Sequence, residues 1–79
     1  MPDLKKLLAD MAGALVDYPA ELRIDEQEEG DTVVFTVTVA ESDMGKIIGR
    51  RGKNARSIRT VMKSAGSVVG KKVIVDIAE

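Results

Sequence analysis

Leu4, Leu7, Leu8, Met11, Leu15 and Val16 recur mostly at spacings of three and four, which predicts one stripe of an amphipathic helix. Asp3 is placed to cap its start, and Pro19 to end it, because the residue before a proline avoids helical dihedrals. "AELRIDEQ" alternates at Leu22 and Ile24 and predicts a short strand; "EEGD" (Glu28 to Asp31) predicts a turn around Gly30. In "TVVFTVTVA" seven of nine residues are β-branched, with Val33, Phe35, Val37 and Val39 on one face and Val34, Thr36 and Thr38 on the other. The two strands should form an antiparallel hairpin.

Beyond the hairpin, Ser42 or Asp43 can cap a short helix running to about Ile48. "GRRG" interrupts it, and a longer helix is predicted from Lys53 to Ala65, with Gly66 and Gly70 in the loop after it. "KKVIVDIA" alternates at Val73, Val75 and Ile77 and forms the third strand. The order is α-β-β-α-α-β. The second and third strands are joined through helices, which allows a parallel pair with a right-handed crossover. The expectation is an α+β fold whose three-stranded mixed sheet is covered on one face by three helices.

Charge changes this picture. The chain has 79 residues and a formal net charge of −1, yet its charges are segregated. Residues 1–43 hold eleven acids and three bases, whereas residues 44–75 hold nine bases and no acid. Such asymmetry points to one face that meets a polyanion, unless the two halves pair internally. There is no histidine and no cysteine, which removes Ser-His and Cys-His catalysis, thiolate metal sites and disulfides. No constellation of the remaining carboxylates, lysines and hydroxyls converges on an enzyme site. The acids around Gly30 read as a solvated turn, so no metal and no cofactor is expected. No apolar run approaches the ~20 residues of a membrane span. "MPDLKKLLADMAG" lacks the basic and apolar regions of a signal peptide, so a cytoplasmic protein is expected.

The chemistry concentrates in "GKIIGRRGKNARSIR", Gly45 to Arg59, with three glycines, six bases and no acid. A Walker loop aligned on Gly52-Lys53 requires glycine at position 47 and Ser or Thr at 54; the chain has Ile47 and Asn54. A dinucleotide fingerprint fits Gly49 and Gly52 but again requires glycine at 47. A helix-GxxG-helix unit remains. Gly49 and Gly52 let the backbone turn sharply, Arg50 and Arg51 sit at its tip, and the next helix offers free N–H groups to an anion. On that helix, at ~100° per residue from Lys53, Ala55, Ile58, Val61, Met62 and Ala65 cover about 80–200° and predict the packed side. Arg56, Arg59 and Lys63 cover about 240–300°, with Lys53 beside them.

"IIGRRG" preceded by a hairpin and followed by a basic helix and a strand resembles a K-homology (KH) domain of the type II, prokaryotic arrangement. "DMGKIIGRRGKNARSIRTVMK" with the terminal "KKVIVDI" resembles the small stand-alone bacterial KH proteins of the KhpA family, over nearly the whole chain. The resemblance implies a single KH domain over residues 1–79. It implies binding of single-stranded RNA, about four nucleotides of backbone being clamped by the GxxG loop as is known for KH domains. It assigns the grip to Gly49, Arg50, Arg51 and Gly52 and the aliphatic pair before it to Ile47 and Ile48. Asn54, Ser57 and Ile58 fall in the segment lining the base groove; whether Ile48 and Ile58 face groove or core is left open. Lys46, Lys53, Arg56 and Arg59 extend the basic surface. The aromatics are only Tyr18 and Phe35, so bases are not stacked on any scale. Phe35 is expected in the core and Tyr18 packed at the helix end beside Pro19. A site of this size needs a second module. The resemblance therefore implies a homodimer, or a heterodimer with a larger KH-containing RNA-binding protein, acting in RNA-level regulation. The alternative is a protein-interaction module that uses the acidic half and the strand face of Val34, Thr36 and Thr38.

Overall fold

A computed structural model describes residues 3–78. Helix α1 (Leu4–Gly13) is followed by strands β1 (Arg23–Glu29) and β2 (Thr32–Thr38), helices α2 (Met44–Ile48) and α3 (Lys53–Val68), and strand β3 (Lys72–Ile77). Short 3-10 turns occupy Pro19–Glu21, Glu41–Asp43 and Arg50–Gly52. The sheet order is β1-β2-β3. β1 and β2 are antiparallel, from Arg23 opposite Thr38 to Glu29 opposite Thr32, and Gly30 turns the hairpin at φ 59°. β2 and β3 are parallel, with Val33 opposite Val73 and Phe35 opposite Val75.

Alternation along β2 decides which face is covered. Val33, Phe35 and Val37 are buried, as are Val73 and Val75 beside them on β3. The helices fill this face with Leu8 and Ala12 from α1, Ile47 from α2, and Ala55, Ile58 and Met62 from α3. Each large apolar side chain among these contributes roughly 1.5–3 kcal/mol by leaving water. Asp3 caps α1 as expected, its Oδ1 accepting from the Lys6 N–H at 3.1 Å.

Around the helices the structure corrects the sequence reading. α1 ends at Gly13, ahead of Pro19. Glycine is a weak helix former, and the chain must turn there to bring Asp17 and Tyr18 to α2. Leu15 and Val16 still pack on the core from outside the helix. Tyr18 is not packed at the helix end; it is 54% exposed. Val61, placed on the packed side of α3, is 43% exposed. Finally, α3 runs through Gly66 to Val68, so Gly66 is a helix residue and not a loop residue.

Gly66 is buried because β3 crosses directly over it. A Cβ there would lie 2.5 Å from Val73 Cγ2 and 2.8 Å from the Lys71 carbonyl oxygen. Only glycine lets helix and strand approach so closely. At an exposed helix position, glycine to alanine gains about 1 kcal/mol. Here Gly66→Ala should instead lose about 1–3 kcal/mol by overpacking, read as a lower urea midpoint with an unchanged m-value.

Candidate nucleic-acid interface

Placement of the GxxG loop begins at Asp43, which is 0% exposed. It precedes α2 but does not cap it. Its Oδ1 accepts the Asp17 N–H at 3.1 Å and its Oδ2 the Tyr18 N–H at 3.0 Å. The expected capping role of Ser42 or Asp43 is thus replaced by a link from the start of α2 to the end of the α1 connection. A carboxylate is tolerated out of water because two backbone donors satisfy it. Lys46 Nζ stands 3.9 Å from Asp43 Oδ1 and pairs with Asp17. The hydrogen bond to Asp17 raises the Lys46 ammonium above its ordinary range, with the Asp17 and Asp43 charges adding to it. While its carboxylate partner is ionised, a raised lysine pKa contributes stability that is present at neutrality and is lost as the pH rises through the folded-state value. Lys46, placed on the basic surface, is exposed there but engaged by an acid of its own chain.

The loop itself depends on a close contact. The Gly49 N–H closes α2 on the Gly45 carbonyl at 2.8 Å, and the Gly52 N–H returns to the Gly49 carbonyl at 3.1 Å. Gly49 has φ 75°, Gly52 φ 73°, and Arg51 between them φ 55°. A Cβ on Gly49 would meet Asn54 Cγ at 2.7 Å and the Asn54 backbone nitrogen at 2.9 Å. Asn54 is held there because its Nδ2 donates to the Lys46 carbonyl at 2.8 Å. One donor of the side-chain amide read as a groove residue thus closes the C-terminal end of α2. An L-residue in the left-handed region costs roughly 1–2 kcal/mol, so Arg51 is held by the turn around it.

The remaining residues divide. Ile47 is 0% exposed and Ile58 6% exposed, so both side chains belong to the core; Ile48 is half-buried. Arg50, Arg51, Lys53, Arg56, Ser57 and Arg59 are exposed. The Lys53 N–H that opens α3 donates back to the Arg50 carbonyl; no side chain caps the helix, so the N–H groups after it and the positive dipole end face the loop. Among the described residues, no carboxylate lies within ion-pairing distance of Arg50, Arg51, Lys53, Arg56, Arg59 or Lys63. The two charged halves therefore do not neutralise one another internally. The exceptions are Lys46, paired with Asp17, and at the far end Lys71, paired with Glu28, whose hydrogen bond raises the Lys71 pKa. The residue that sequence reasoning missed is Asp43 as a buried anchor, since no local pattern marks a partner 26 positions away.

An α-β-β-α-α-β chain with a GxxG turn between its last two helices has the architecture of a KH domain. A family model described as "KhpA/KhpB, KH domain" matches residues 5–77, and the chain belongs to that family. The family is not an enzymatic one. Relatives named "RNA-binding protein KhpA" include that of Clostridium acetobutylicum, 40% identical over 94% of this chain and 99% of the relative. Those of Aquifex aeolicus and Chlamydia trachomatis are 37% and 38% identical; the first match spans both chains entirely, the second 96% of this chain and 97% of the relative. No helix among the described residues is long and apolar enough to cross a membrane.

Truncation at Asp43 tests the anchor. Asp43→Ala leaves two amides without their acceptor and should lower stability by about 2–4 kcal/mol in urea, Asp43→Asn by about half as much. Hydrogen exchange at Asp17 and Tyr18 should accelerate in both variants.

Proposed function

We propose that this protein binds single-stranded RNA in the cytoplasm, gripping about four nucleotides of backbone at Gly49–Gly52. The observation that carries the reading is the loop: two exposed, unpaired arginines on a left-handed turn lead straight into the uncapped N-terminus of a 16-residue helix. Free amides, a positive helix end and guanidinium forks together suit phosphate oxygens. Gly49 and Gly52 give the backbone access, and Lys53 and Arg56 extend the basic surface along α3. Ile48 and the aliphatic positions near it supply the floor on which bases lie. The relatives' name as RNA-binding proteins supports the same reading.

Affinity should fall with salt at a log–log slope near −0.7 per phosphate contact for a single strand. Arg50→Asp combined with Arg51→Asp should weaken binding of a short single-stranded RNA at least about tenfold and flatten that slope. Its circular dichroism and urea midpoint should stay near wild type, because both side chains are exposed. Unchanged RNA affinity in this variant, measured by fluorescence anisotropy, defeats the proposal.

The protein acts as a dimer, with itself or with a larger KH-containing RNA-binding protein, in RNA-level regulation. Support comes from α3, where Val61 is 43% and Val68 79% exposed. Seven positions apart, they share one helix face. That face lies about 160° from Arg59, so pairing there leaves the basic side free. A second four-nucleotide site then raises avidity without new chemistry. Val61→Glu should shift sedimentation toward monomer and reduce affinity for long RNA more than for a tetranucleotide. A concentration-independent monomer in the wild type, alone and with such a partner, removes the dimer.

A further inference from the structure

Arg59 differs from every other base near the loop. Its Nε donates to the Val75 carbonyl oxygen at 3.1 Å. Among the described residues, Arg50, Arg51, Lys53, Arg56 and Lys63 donate no side-chain hydrogen bond. The acceptor lies on the free edge of the sheet. The Lys72 and Ala78 N–H groups donate to the Asp31 and Val37 carbonyls of the β2 side. In a parallel pair the strand's peptide groups alternate, so those of Val73, Val75 and Ile77 turn outward. Arg59 thus spans from the outer flank of α3 to the outer edge of β3.

This anchoring has a chemical consequence. A guanidinium carries five N–H donors in a rigid plane. With Nε committed to Val75, the four donors on the two Nη atoms remain, and their orientation is fixed. A phosphate can also take such a fork, and Arg50 and Arg51, free at the loop tip, are placed for that role; what distinguishes Arg59 is that its fork is held at the edge of β3. A fixed fork matches a planar ligand with two adjacent acceptors, and guanine and cytosine edges offer such a pair whereas adenine and uracil set a donor beside an acceptor.

Building on the RNA reading above, we propose that Arg59 is a specificity-determining residue. Held against the edge of β3, it selects a base with two neighbouring acceptors, guanine or cytosine, at a nucleotide lying along α3 and β3.

The test uses the full chain with the hexanucleotides rC6, rU6, rA6 and rUUGUUU, each titrated at several salt concentrations. Wild type should favour rC6 and rUUGUUU over rA6 and rU6 by about 5- to 150-fold, the range of one good bidentate pair. Arg59→Lys keeps the charge but not the fork. It should lose that preference and keep the salt slope. A pure phosphate contact gives the opposite result: Arg59→Lys retains the preference, and Arg59→Ala lowers the slope by about 0.7. That outcome, or a wild type binding all four oligomers alike, overturns the proposal. Wild type binding none of them overturns the RNA reading itself, a distinct result. Urea midpoints of both variants separate loss of fold from loss of selectivity, and Arg59→Lys folded, binding and unselective is the supporting result.

Discussion

Asp43 is the one charged side chain fully removed from water among the described residues, and the placement of the loop depends on it. An isolated buried carboxylate is expensive, and two backbone N–H donors are what make it tolerable. Meeting that requirement decides where α1 must stop, how the chain passes Tyr18, and where α2 starts. Because α2 is only five residues long, fixing its first turn fixes the GxxG loop at its other end. Lys46 strengthens the same junction from the opposite side by pairing with Asp17.

The loop is built against the interest of the fold alone. Arg51 sits in a left-handed conformation, α3 begins without a side-chain cap, and neighbouring cations stand unpaired. Each feature is a cost to the free chain, and an uncapped helix N-terminus with unpaired cations is also the arrangement that favours an anion. Asn54 shows how the strain is contained. Its amide closes the end of α2 through the Lys46 carbonyl, and the space it fills is the space a side chain on Gly49 would need. Around Gly52, the second glycine of the pair, a Cβ would meet nothing within 4 Å, and its requirement is purely its φ of +73°.

The near-zero net charge conceals a division of labour across the sheet. β1, an edge strand, carries Asp25, Glu26, Glu28 and Glu29, which discourages pairing with another strand. The basic flank of α3 lies toward the opposite edge, beside β3, where Arg59 covers the Val75 carbonyl. Lys46 and Lys71 are drawn into pairs with acids at either end of the molecule. Cations directly around the loop stay unpaired among the described residues.

By itself the sequence determined the element order, the covered face of the sheet and the chemistry of the loop. These rest on local signals: period-two alternation from Val33 to Val39, glycines at 49 and 52, and a run of 32 residues without an acid. Position 47 excluded nucleotide loops on spacing alone. The tertiary structure decided which of those residues remain available. Ile47 and Ile58 went to the core, Lys46 to Asp17, Asn54 to α2, and Arg59 to the edge of β3. It also turned Gly66 from a loop residue into a packing contact and left Tyr18 exposed. Periodicity reports which face a side chain leaves an element on; it carries no information about what stands opposite, because that partner comes from a distant part of the chain.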